Sequence, residues 1–74
     1  MGVESVSFVG RFLVVFMEEG GLVMVPLGRV PLLDHAHPFE RAQWQISTDG
    51  THILWPALNW HVDVAELHCL AEEI

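Results

Sequence analysis

Two histidines one residue apart, His35 and His37, with Asp34 beside them, come nearest in type and spacing to metal chemistry. Imidazole nitrogens and a carboxylate are good zinc ligands, yet a structural site needs four ligands and a catalytic one three plus water. Two ligands at one junction need partners from elsewhere, and His52, His61 and His68 qualify by residue type alone. Metal or ligand binding through His35 and His37 is therefore the second expectation. Solvent-facing or locally bonded imidazoles are the simpler one.

Cys69 beside His68 has the types of a nucleophile and its base. Adjacent helix residues point about 100° apart, so the two would not meet. Packing within the last helix is expected of that thiol. Asp34 with Glu40, and Glu18 with Glu19, offer paired carboxylates, but nothing places either pair across a cleft. Gly20-Gly21 lacks the following helix that a phosphate-binding loop needs. These readings predict neither an enzyme nor a cofactor. Trp60 falls in Asn59-Trp60-His61, between a strand and a helix. It is either a loop-borne contact for a partner or a cover folded over Leu58.

The elements that must position these residues are most legible between Trp44 and Leu67. Asp49-Gly50 is a strong hairpin signal, because a type I′ turn needs positive φ at both centres. Such a turn pairs Ile46 with Ile53, Gln45 with Leu54 and Trp44 with Trp55. Alternation then gathers Trp44, Ile46, Ile53 and Trp55 on one face, a favourable cross-strand set. Pro56 cannot donate to a ladder, so the strand stops near Trp55. A helix starts at about residue 63, with Asp63 as N-cap, Glu66 completing a capping box, and Val62 and Leu67 as the staple. Val64, Leu67, Leu70 and Ile74 form its apolar stripe, which must dock because so short a helix does not persist alone.

Upstream, residues 3–9 alternate loosely and read as an edge strand, with Gly10-Arg11 turning into the strand Phe12 to Met17. Glu18 to Gly21 is a second hairpin turn, and Leu22 to Leu27 returns antiparallel. A two-residue loop pairs Phe16 with Val23, and a three-residue loop pairs Met17 with Val23; the choice stays open. In either case Phe12, Val14 and Phe16 point one way, and Leu13, Val15 and Met17 the other. An antiparallel sheet in a small domain normally keeps one face polar. Here both faces are apolar, so one meets the helices and the other needs a cover, from the N-terminal strand or a second chain. The face of Leu13, Val15, Met17, Leu22 and Met24, or its opposite, is the expected contact, with Trp60 at its rim. Two short helical segments lie between residues 31 and 43, with Pro31 and Pro38 each at a first helical position. His37 stands where a Ser, Thr or Asp cap is preferred.

Composition sets the outer limits. Seventy-four residues make one domain, near the lower limit for a self-sufficient core. The chain has no lysine, three arginines and ten carboxylates, for a net charge of −7. That balance repels phosphate and argues against direct nucleic-acid binding. No apolar run suffices to cross a membrane. A single cysteine and the lack of a recognisable leader read as cytoplasmic.

From Leu13 onward the chain resembles the bacterial family known as domain of unknown function 2442. The matching residues are LVVFMEEGGLVMVPL (13–27), Pro31 and Leu33, Ala36, Arg41, Trp44, Gly50, the I-x-W-P of Ile53 to Pro56, Leu58, and the D-V-x-x-L of Asp63 to Leu67. The family often has an acidic L-D-x-D after its W-P; here Leu58-Asn59-Trp60-His61 stands in that place. The resemblance implies a small α+β domain and, for some members, an antitoxin-like role beside a second small protein.

The expected architecture is thus α+β: one antiparallel sheet of about four or five strands built from hairpins, with short helices and a C-terminal helix. The expected function is non-catalytic association, as a homodimer or as the acidic member of a two-protein regulatory pair.

Overall fold

A computed structural model describes residues 2–71. Six strands and three short α-helices follow in the order β1 (Val3–Val9), β2 (Phe12–Met17), β3 (Leu22–Pro26), α1 (Pro31–Asp34), α2 (Pro38–Arg41), β4 (Gln45–Ile46), β5 (His52–Trp55), β6 (Trp60–Asp63) and α3 (Val64–Leu70). The fold is α+β, as expected. The single sheet is not: the strands form two three-stranded antiparallel sheets, β1-β2-β3 and β4-β5-β6. After β3 the chain turns through a 3-10 segment, Leu27–Arg29, and two helices before the next strand begins, so the second hairpin starts a separate ladder. Where the sheets meet, the Val3 amide donates to the Gly50 carbonyl at 2.9 Å.

The sixth strand is the other departure. Residues 59–61 were expected as loop, but Pro56–Leu58 forms a 3-10 turn and Asn59 takes the left-handed conformation at φ 51°. Asparagine tolerates that region better than most residues. The reversal lets Trp60 to Asp63 pair back on β5, with Trp60 opposite Trp55 and Val62 opposite Ile53.

Two registers settle which residues lie inside. In the second hairpin Gln45 faces Leu54 and Ile46 faces Ile53, as the Asp-Gly signal requires. The turn itself is wider than two residues. Gly50 alone carries positive φ, 76°, and its amide donates to the Ser47 carbonyl at 2.9 Å. The first hairpin adopts neither expected pairing: Phe16 faces Leu22 and Val15 faces Val23. The Gly20 amide closes a turn on the Met17 carbonyl, and the Met17 amide reaches the Gly21 carbonyl at 2.8 Å. With φ 101°, Gly20 supplies the conformation that three-residue hairpin loops use.

The core lies between the two sheets and under α3. Val3, Val6, Leu13, Val15, Met17, Val23 and Val25 face inward from the first sheet; Ile53, Trp55 and Val62 do so from the second. Leu27, Val30, Leu33 and Leu67 close it. Trp55 and Leu13 are fully buried, and each such side chain stabilises the fold by about 1.5–3 kcal/mol. Asp63 caps α3, accepting the Glu66 amide at 2.7 Å, while the Glu66 carboxylate accepts the Asp63 amide. Val64, Leu67 and Leu70 of the expected stripe pack on the core; Ile74 lies outside the described residues.

Candidate functional site

The titratable residues are dispersed. His37 caps α2 with its own ring: Nδ1 accepts the Phe39 amide at 3.0 Å, and the Glu40 carboxylate accepts the His37 amide at 3.0 Å. A junction expected to be weakly specified is therefore a capping box with imidazole as acceptor. His35 is exposed and lines an open depression of about 440 Å³ with Pro31, Leu32, Ala36, Glu40 and Leu58. Among the described residues, no group of three or more His, Cys, Asp or Glu is placed to hold a metal. The His52 and His61 rings lie 5.9 Å apart, tilted by 54°, and His68 is exposed on α3.

One member of each expected carboxylate pair is engaged elsewhere. Asp34 accepts Arg11 at 3.0 Å, and Glu18 accepts the Gly2 amide at 2.9 Å. Among the described residues Asp49 is the one strongly shifted acid, pulled down to about 2 by the Ser47 hydroxyl, then by the Thr51 hydroxyl and amide. That arrangement tightens a turn. Cys69 is exposed, contrary to the packing expected of it. It follows Leu67 by two positions, which on a helix is the far side.

Trp60 is the core cover rather than an exposed contact. Its ring sits 5.4 Å from that of Trp55 at 32°, and it is half-buried against the core. Paired with Trp55 at the first position of β6, it packs inward with its neighbour across the ladder.

What remains is the outer face of the β1-β2-β3 sheet. The expected contact set divides there. Leu13, Val15 and Met17 are buried in the core, whereas Leu22 and Met24 point outward. The observed register causes the split, because Leu22 stands opposite Phe16 and Met24 opposite Val14. The outward set is thus Val9, Phe12, Val14, Phe16, Leu22 and Met24. Val9 is 58% exposed, Leu22 55%, Phe16 39% and Met24 37%. β1 lies beside β2 in the same sheet, so it widens this face instead of covering it. Ser5 and Ser7 are its polar members at paired positions, and the exposed Glu4 stands beside them where the β1–β2 register shifts. Charge sits at the ends: Arg11 in the β1–β2 turn, Glu18 and Glu19 in the β2–β3 turn. The alternation at Phe12, Val14 and Phe16 was a sufficient signal for half of this face. Its completion by Leu22 and Met24 depended on the register.

Among the described residues, no helix is long and apolar enough to cross a membrane. No curated protein and no solved structure matches the chain. A family model does, over residues 3–71, nearly the whole length. The protein belongs to the family described as Protein of unknown function (DUF2442).

Proposed function

We propose that this protein acts without catalysis, by holding another folded surface against the outer face of β1-β2-β3. The observation that carries the reading is the apolar character of that face, where Val9, Phe16, Leu22 and Met24 are exposed around a half-buried Phe12 and a buried Val14. Apolar patches of this continuity on small domains mark contact sites. Charged or polar residues would be the ordinary outward choice for a sheet with one solvated side. Self-association and membership of a regulatory protein pair are the two forms such a role takes.

Three strands at about 4.8 Å spacing and six residues at about 3.3 Å give a face of roughly 14 by 20 Å. That is smaller than the roughly 800 Å² per partner of a standard stable interface. The contact is therefore weak and reversible unless the turns at its ends join in. The test is the native size of the protein in lysate of its own host, for the wild type and Phe16→Glu. The wild type should migrate well above a single 8.3 kDa chain and the variant at that mass. Equal migration of the two sinks the reading.

A further inference from the structure

We propose that His52 and His61 together hold one divalent transition-metal ion, copper(II) in preference to nickel(II) or zinc(II), on the outer face of the β4-β5-β6 sheet. The proposal is independent of the association reading.

Position comes first. His52 stands opposite Asp63 and His61 opposite Leu54, one step apart along the β5-β6 ladder. Directly paired residues share a face. Ile53 and Val62, paired between them, are buried, so both imidazoles lie on the outward side. Their ring centres are 5.9 Å apart. A metal–nitrogen bond is about 2.1 Å, and a ring nitrogen lies about 1.1 Å from its ring centre. Two imidazoles on one ion therefore keep their centres about 4.5 Å apart at a right angle and about 6.4 Å apart in line. The observed spacing falls inside that interval as the strands stand.

The hydrogen bonds fix which nitrogen of His52 is offered. Asp49 is ionised, its carboxyl held down to about 2, so it can only accept. The single hydroxyl proton of Thr51 therefore goes to Asp49 Oδ1, at 2.8 Å. The 2.8 Å contact between Thr51 Oγ1 and His52 Nδ1 must then be donated by the imidazole. In the neutral ring Nδ1 thus carries the proton, and Nε2 keeps a lone pair for a ligand. A ligating histidine ordinarily gives its other N–H to an oxygen in this way, which sets its tautomer and makes it a stronger donor. His61 is exposed, and its ring can turn a nitrogen toward the same point.

Two nitrogens are too few for a zinc centre, which takes three or four protein ligands. Copper(II) and nickel(II) accept tetragonal sets of nitrogen and oxygen that water can complete, and copper(II) binds most strongly of the divalent first-row ions. The net charge of −7 adds a general attraction for cations. The rival pair, His35 and His37, is less well prepared, because Nδ1 of His37 is occupied in accepting the Phe39 amide.

Calorimetric titration of the purified, untagged full chain with copper(II) tests this, with circular dichroism to confirm that each variant folds. The wild type should bind one equivalent, more tightly than it binds nickel(II) or zinc(II). His52→Gln and His61→Gln should each weaken binding at least about tenfold, and Thr51→Val about tenfold through the lost orientation. His35→Gln and His68→Gln should leave it within about twofold. Paramagnetic broadening of amide signals by copper(II) gives a reading that needs no variant: residues 52 and 61 should fade first. No saturable binding below about 1 mM copper(II) overturns the proposal. Equal binding by the double variant His52→Gln/His61→Gln overturns it too, leaving an adventitious ion only. Loss in His35→Gln with none in His52→Gln moves the ion to the other pair and is equally fatal. Unchanged affinity in Thr51→Val overturns the role given to the Asp49–Thr51–His52 chain.

Discussion

The indole Nε1 of Trp55 donates to the backbone carbonyl of Arg41 at 3.0 Å, joining the second sheet to the end of α2. The guanidinium of the same arginine turns back to α1, with Nε donating to the Leu33 carbonyl and an Nη to the Asp34 carbonyl, each at 2.7 Å. Arg41 thus satisfies carbonyls that a four-residue helix leaves over at its C-terminus. Replacing it with alanine should destabilise the protein by about 1–3 kcal/mol in urea unfolding. Lysine should rescue only part, because an ammonium lacks the planar fork that reaches two acceptors at once. Full rescue by Arg41→Lys would show that charge, not the fork, matters.

Gly2 approaches the second sheet so closely that a Cβ built on it would lie 2.7 Å from the Gly50 oxygen. Backbone occupies that space, so no side-chain rotation can relieve the clash. Gly2→Ala should cost about 1–3 kcal/mol and weaken the Val3 to Gly50 hydrogen bond. Hydrogen exchange at the Val3 amide reads the second effect. An unchanged exchange rate would place the contact outside the folded ensemble's main state.

Asp49 gives a pH signature of known sign. Its folded-state value of about 2 lies below the ordinary 3.8, first through the Ser47 hydroxyl and then through Thr51. A depressed carboxyl contributes stability above its unfolded value and loses it as pH falls toward the folded one. The wild type should therefore lose stability between about pH 4 and pH 2, and Asp49→Asn should lose less over that window. Parallel curves for the two proteins would count against the hydrogen-bonded turn.

Asp63 begins α3 with both halves of a capping box. Asp63→Ala should lower stability by about 1 kcal/mol, while Asp63→Asn should keep most of it, since asparagine accepts the same amide. Thermal unfolding of the three proteins checks the order.

The local chemistry was legible in the sequence, and the long-range geometry was not. Asp63, Glu66, Pro31 and Pro38 signal helix starts through groups a few residues apart, and all four stand where expected. The Asp49-Gly50 signal placed Ile46 opposite Ile53 even though the turn type differs. The register of the first hairpin depended on how Glu18-Glu19-Gly20-Gly21 distributes between turn and strand, which no side-chain pattern on two apolar strands can decide. A slip of one residue exchanges faces. That is why Leu22 and Met24 were grouped with Leu13 and Val15 and belong with Phe16. β6 was overlooked because Asn59, a single left-handed residue, carries its reversal. His37 stands at the cap position the sequence marks as weakly specified, and its strength there was not legible because imidazole seldom fills that role.

The three arginines are all drawn into the architecture: Arg11 clamps Asp34, Arg41 grips the end of α1, and Arg29 donates to the carbonyls of Leu70 and Ala71 at the end of α3. A polyanion could share the exposed Arg11, but it would have to pull Arg29 and Arg41 off the carbonyls they serve. Polyphosphate that took those two would therefore loosen the ends of α1 and α3 rather than seat on a ready site.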